Sequence, residues 1–223
     1  MAGSAHQKKS RAWLRVLPGG AAGAHARPAS DEELIEAFER GDRVVAEQLY
    51  DRLIGVVDGT LYRVLGCRGH DHDDLVQSAF EQIMITLARR RFARACSLSA
   101  WASTVTAHVA LNALRSRRRE RNVVDRGRDP ELAARRAHSA ADVERQAGAR
   151  EELTRLRTHL AAIGSKKATT LLLHDVLGHE LAEISVLTGV SVAAAQSRLV
   201  RGRKELHRRM TEDAAEAARK GKP

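Results

Sequence analysis

From Leu34 onward, apolar residues return every three or four positions: Leu34, Ile35, Phe38, Val45, Leu49, Leu53, Val56, Val57, Leu61 and Leu65. That period belongs to helices that bury one face. Gly41-Asp42 interrupts the pattern. Ser30, with Glu33 three residues on, has the form of a capping box opening the first helix, and acids in its first turn suit the helix dipole. A second stripe runs through Leu75, Val76, Ala79, Phe80, Ile83, Met84 and Leu87. The polar stretch "RRRFARACSLS" follows and ends in Ser99, a candidate N-cap. A long helix is then predicted through Trp101, Val105, Val109 and Leu114 into "RSRRRER".

Residues 122–149 are rich in Arg, Asp and Ala, contain Asp129-Pro130 and sustain no apolar period, so they read as a linker. From about Arg150 the helical pattern resumes with Leu153, Leu156, Leu160 and Ile163, then Leu171, Leu172, Leu173, Val176 and Leu177. No strand-like alternation and no internal repeat is present. Residues 1–30 contain no acid and read as a disordered basic arm. The expected fold is all-α. It has one small helical domain over 31–121 and another over 150–212, joined by a flexible linker and followed by a tail over 213–223.

The sharpest local pattern is "HELAEISVLTGVSVAAAQSRLVRGRKELHRRM". Leu181, Ile184 and Leu187 share a face of a short helix. Thr188-Gly189-Val190 makes a turn in which Gly189 can take a left-handed backbone at little cost. Ser191 can cap the next helix, whose stripe is Val192, Ala195, Leu199, Gly202 and Leu206. This is the shape of a helix-turn-helix. On the opposite face, Gln196, Ser197, Val200 and Arg201 could meet base edges. Arg198, Arg203, Lys204, Arg208 and Arg209 could engage phosphates. The plainer reading is a solvated basic helix, and Gly202 in mid-helix costs about 1 kcal/mol against Ala.

Charge strengthens the nucleic-acid reading. There are 38 Lys and Arg against 28 Asp and Glu, a net charge of +10. Such a balance points to a polyanionic partner, although a basic soluble protein without one is the plain alternative. A second basic patch, Arg115, Arg117, Arg118, Arg119 and Arg121, ends the Trp101 helix. Thr104, His108 and Asn112 lie at four-residue spacing above it. Cys67 and Cys96 are too few for a disulfide framework and lack metal-ligand spacing. No apolar run reaches the roughly 18–20 residues of a membrane span, and the N-terminal stretch has no apolar core of a signal peptide. The expected location is cytoplasmic.

The row His70-Asp71-His72-Asp73-Asp74 leaves two readings open. It could be a metal site, hence a metal-dependent hydrolase using His70, Asp71, His72 and Asp73. It could also be a loop leading into a helix whose first turn is acidic. Consecutive loop residues rarely converge on one ion, and no further ligands stand out.

Four stretches together resemble a bacterial sigma factor of the extracytoplasmic-function class. "DDLVQSAF" resembles the polymerase-binding helix. "FARACSLSAWASTVTAHVALNALRSRRR" resembles the segment that melts promoters and reads the −10 element. "LLLHDVLGHELAEISVLTGVSV" resembles the lead-in to the −35 reader, and "AQSRLVRGRKEL" its recognition helix. The resemblance spans about 31–121 (region 2) and 150–210 (region 4).

It implies that Asp74, Leu75, Val76, Gln77 and Phe80 contact core RNA polymerase or support that contact. Trp101, Thr104, His108, Asn112, Arg115, Arg118 and Arg119 would serve the −10 element, with Phe92–Ser99 forming a pocket for a flipped base. Gln196, Ser197, Val200 and Arg201 would read the −35 element, with Arg198 and Arg203 on phosphates. An anti-sigma partner is implied as well, and neither catalysis, a cofactor nor a metal. Relatives often carry a basic residue where Gln196 stands and an aromatic residue or His at Val200. These departures bear on which promoter is read. The remaining alternative is a helix-turn-helix regulator acting without polymerase.

Overall fold

The first helix, α1 (Asp31–Glu39), begins with the capping box read from its sequence. Ser30 Oγ accepts the Glu33 backbone N–H at 3.2 Å, and Glu33 Oε2 accepts that of Ser30 at 2.7 Å. The computed structural model describes residues 29–42, 44–125 and 141–220, with side chains described for 29–42, 44–121 and 148–219. Residues 1–28 of the expected basic arm and much of the 122–149 linker lie outside the described residues, while Ser30 at the arm's end caps α1.

Gly41, at φ 91°, ends the first helical stretch, and Asp42 Oδ1 accepts the Val44 N–H at 3.0 Å to start α2 (Val44–Leu65). The chain divides into two compact units inside α2, between Arg52 and Leu53. In the first unit Leu34, Ile35, Val45 and Leu49 are buried, and Arg52 binds Asp31 and the Ala29 carbonyl.

The second unit holds the rest of α2, with Leu53, Val57 and Leu61 fully buried at four-residue intervals. It continues with α3 (His72–Ala88) and α4 (Leu98–Asp125), packed against each other. Ala79, Phe80, Ile83 and Leu87 are buried on α3. On α4 the buried residues are mostly small, Ala102, Ala107 and Ala110 with Leu111 and Leu114, which lets helices approach closely. The cap of α4 is Ser97 and not Ser99: Ser97 Oγ accepts the Ala100 N–H at 3.2 Å, and the helix starts early enough to bury Leu98.

The helical pattern resumes with α5 (Ala141–Ala162), ahead of the Arg150 expected from the apolar period, followed by α6 (Ser165–Leu171). A π-helical turn, Leu172–Val176, leads to α7 (Leu181–Thr188) and α8 (Val192–Lys220). Leu173, Ile184 and Ala195 form the buried centre of the helix-turn-helix, with Leu177, Leu181 and Val190 packed on it. Gly189 caps α7 at φ 64°, ψ 37°, the left-handed conformation that glycine adopts freely. Ser191 Oγ then accepts the Ala194 N–H at 3.2 Å. Val192, expected on the apolar stripe, is instead 46% exposed. The described residues form helices and connecting turns, with no strand among them.

Candidate functional site

The His70–Asp74 row does not converge on one point. Asp71 turns to α4, where Arg117 Nη2 donates to both of its carboxylate oxygens at 2.7 and 2.8 Å. The Arg117 guanidinium holds the Asp71 carboxyl below the usual range. His72 is not a loop residue: it is the first residue of α3 and is buried, with Nε2 2.8 Å from Asp58 Oδ1. Arg68 grips the same carboxylate. Hydrogen bonds from Arg68 and then His72 lower the Asp58 pKa to about 2. Asp73 and Asp74 point outward in the first turn of α3, where acids favour the helix dipole. Among the described residues, no three His, Cys, Asp or Glu side chains group to hold a metal ion.

Behind these acids, Leu75, Val76 and Gln77 are half-buried and Phe80 is 3% exposed. Phe80 therefore belongs to the core and can act only by supporting the surface residues. Gln77 Nε2 donates to Glu81 Oε1 at 3.2 Å. Ile85, a full helical run beyond Asp74, is 43% exposed and was not singled out from sequence. Its signal was its place off the buried Ala79–Ile83–Leu87 stripe.

The loop before α4 is bent by two arginines with positive φ, Arg90 (50°) and Arg94 (55°). Non-glycine residues there are uncommon and gather at functional loops. The bend brings Phe92 against Trp101, ring centroids 4.8 Å apart and tilted by 38°. Thr104, His108 and Asn112 do not share one exposure. Thr104 is 4% exposed, its hydroxyl donating to the Ala100 carbonyl at 3.1 Å, while His108 and Asn112 reach solvent. Partial desolvation, with Arg115 nearby, lowers the His108 pKa.

The arginines beyond also part company. Arg119 is exposed and Arg118 half-buried. Arg115 closes over the end of α5: Nη2 donates to the Ile163 carbonyl at 3.1 Å, Nε to that of Ala161 at 3.4 Å, and Nη1 to Ser165 Oγ at 3.3 Å.

On α8, Ala195 and Leu199 are buried while Gln196, Val200 and Arg201 are exposed on the opposite face. Arg201 Nε donates to Ser197 Oγ at 3.1 Å. Arg198 is half-buried. Arg203 forms a two-point ion pair with Asp175 from the π-helical turn, Nε to Oδ2 at 3.0 Å, and this pair holds the Asp175 pKa down. Arg208 pairs with Glu212 and Arg209 with Glu205 along the helix.

Residues 49–120 match Sigma-70 region 2, and residues 155–206 match Sigma-70, region 4. The chain belongs to the sigma-70 family. Region 2 followed closely by region 4 is the organisation of the extracytoplasmic-function class, so this is an alternative sigma factor. Such a protein binds core RNA polymerase and directs initiation at promoters. The sigma-70 family is not one of enzymes. A solved structure, "CnrH in complex with the cytosolic domain of CnrY", is similar in part. It has 22% identity and a TM-score of 0.47, covering 82% of this chain and 98% of that one. No curated protein matches the sequence. Among the described residues, no helix is long and apolar enough to cross a membrane.

Proposed function

We propose that this sigma factor divides its work between residues 31–121, which dock on core polymerase and open the −10 region, and 150–212, which read the −35 duplex. Residues 122–149 tether the two and 213–223 form a tail. Asp74, Leu75, Val76 and Gln77 offer a half-exposed face for the polymerase, with Phe80 fixing that face from beneath. Trp101, His108 and Asn112 serve the −10 element with Arg118 and Arg119 on phosphates, and Arg115 joins them once released from α5. Thr104 acts by setting the helix. Gln196, Ser197, Val200 and Arg201 meet −35 base edges, with Arg198 and Arg203 on the backbone.

The observation that carries the −35 assignment is the split of α8, where Ala195 and Leu199 are buried and Gln196, Val200 and Arg201 are exposed. One face is committed to holding the helix, and the other is left for a major groove.

The chain itself performs no catalysis and uses no cofactor or metal. Holding both readers on one polymerase raises the effective concentration of each at its DNA element. The working compartment is the cytoplasm, and an anti-sigma protein that covers the polymerase-binding face is the expected inhibitor.

Run-off transcription from a genomic promoter library, with core polymerase plus or minus this chain, tests the reading. New start sites sharing two spaced motifs are expected. Their loss in Gln196→Ala or Leu75→Ala, with folding intact, would place the two surfaces. DNA retardation without polymerase and without any dependent start site would favour an ordinary helix-turn-helix regulator.

A further inference from the structure

A cleft of about 330 Å³ opens between α2, the start of α4 and the turn ahead of α7, within the second unit. That volume lies at the low end of the range for small-molecule sites. Apart from Ser99, at the end of the Phe92–Ser99 loop, its walls use no residue assigned to DNA or polymerase. Val56, Ala100 and Leu177 give it an apolar side. Its polar side is made of groups that can donate hydrogen bonds, and no acid lines it.

Thr60 is the residue that points to a ligand. It lines the cleft and is only 2% exposed, yet its hydroxyl has no hydrogen-bond partner among the described residues. Thr104, Thr106 and Thr170 are also buried, and each donates to a carbonyl one turn back. A buried hydroxyl left unpaired costs stability. The half-buried Ser99 hydroxyl is unpaired in the same sense. Arg63, exposed at the cleft, has no carboxylate against it among the described residues.

The backbone adds to this set. α4 runs for 28 residues and has no acid in its first turn, whereas α3 opens with Asp73 and Asp74. The first N–H groups of a helix lack carbonyl partners, and together they carry a partial positive charge that attracts anions. Ser97 Oγ satisfies the Ala100 N–H, and Ser99 and Ala100 face the cleft. On the far side, Ser103 Oγ donates to the Ala100 carbonyl at 2.7 Å and lies 3.0 Å from His179 Nε2. His179 Nδ1 lies 2.8 Å from Glu183 Oε2, so the nearby carboxylate is already engaged.

We propose that this cleft binds a small organic anion. Its carboxylate or phosphate group sits on Arg63, the Thr60 and Ser99 hydroxyls and the start of α4, and its short apolar body lies against Val56, Ala100 and Leu177. A guanidinium and a set of N–H and O–H donors suit either head group. A duplex backbone is too wide to reach a hydroxyl buried as deeply as that of Thr60, and an inorganic ion would leave the apolar side uncovered.

The test is titration of the full-length, ¹⁵N-labelled chain followed by amide chemical shifts. The probes are benzoate, phenyl phosphate, inorganic phosphate and benzyl alcohol. Saturable shifts at Thr60, Ser99 and Ala100 are expected with benzoate or phenyl phosphate, and the tighter of the two identifies the head group. Inorganic phosphate and benzyl alcohol, each lacking half of the ligand, should bind about tenfold more weakly. Arg63→Gln and Thr60→Val should each weaken the organic anion by roughly five- to tenfold. Thr60→Val keeps the side-chain shape and deletes only the hydroxyl, so its thermal midpoint should not fall. If Arg63→Gln alters the amide spectrum as a whole, Ser99→Ala is read in its place. Arg89→Gln removes the same charge from an exposed position outside the cleft and should change nothing. Absence of saturable shifts with both organic anions would overturn the proposal. So would inorganic phosphate binding as tightly as phenyl phosphate, or an equal loss in Arg89→Gln, which would reveal only diffuse attraction to a basic chain. Displacement of the probe by a single-stranded oligodeoxynucleotide would return the cleft to the −10 reader.

Discussion

Arg157 lies directly over Gly66. The glycine closes α2 at φ 76°, and a Cβ placed on it would fall 2.6 Å from Arg157 Cζ, well inside contact distance. Two demands therefore meet at one position: a left-handed backbone, and room for a guanidinium that donates to Val64. In Gly66→Ala the backbone strain alone costs about 1 kcal/mol. The methyl group also pushes the Arg157 side chain away from its carbonyl, for about 1 kcal/mol more. The second cost should vanish in an Arg157→Ala background. Urea unfolding of the four proteins in the cycle gives the coupling. Additive effects would show that Arg157 does not depend on Gly66.

Gly202 is the converse case, a glycine whose φ is ordinary and whose missing side chain is the point. A Cβ there would meet Leu171 Cδ1 at 3.1 Å and Cγ at 3.2 Å, where α6 crosses α8. Helix propensity favours Gly202→Ala by about 1 kcal/mol. Leu171 is 4% exposed and has little room to give, so overpacking of about 1–3 kcal/mol outweighs that gain. A thermal midpoint lowered by several degrees is expected in differential scanning calorimetry. A raised midpoint would mean that Leu171 can yield.

The two glycines show where the sequence was legible and where it was not. Periodicity and caps are local, so α1 with its Ser30–Glu33 box and the Gly189 turn could be read from neighbouring letters. The cost of Gly202 was visible too, but its reason lay thirty residues away in Leu171. The same limit applies to sites. The i, i+4 spacing of Thr104, His108 and Asn112 located one face of α4, yet spacing carries no information on what packs above it, and Thr104 is buried. Arg115, Arg117 and Arg203 look alike in a basic run. Only the fold gives them different partners: helix-end carbonyls, Asp71 and Asp175. His72 read as a loop residue because its partner, Asp58, is fourteen positions back.

Asp58 ties the end of α2 to the start of α3 through Arg68 and His72, and its pKa falls from 3.8 to about 2. Its folded value is below its unfolded one. The stabilisation is therefore complete above the unfolded pKa and is lost as pH drops from about 4 through about 2. Allowing for solvent screening of this partly exposed group, the loss is about 1 kcal/mol. In Asp58→Asn the penalty relative to the parent chain should be largest at neutral pH and shrink across that acid window. Urea midpoints measured through the window check it, and a penalty constant with pH would remove Asp58 from the acid response.

Arg201 and Arg203 stand two residues apart on α8, but their charges are not equally available. Arg203 is already matched by the Asp175 carboxylate, whereas Arg201 reaches the neutral Ser197 hydroxyl. Binding to DNA releases counterions in proportion to the charge that newly meets phosphates, with a slope of about 0.9 for each contact. The exposed Arg201 guanidinium can meet a flanking phosphate as well as the base edge it reads, so replacing it by Ala should flatten the salt dependence of promoter binding by up to that amount. Replacing Arg203 should flatten it by less than half as much, because the guanidinium must first share or leave Asp175. Asp175→Asn removes that competition and should steepen the dependence while tightening binding at low salt. Filter binding of the holoenzyme to a promoter fragment over a salt series separates the three variants. Equal slopes for the two arginine variants would show that the Asp175 pair dissolves when α8 enters the groove.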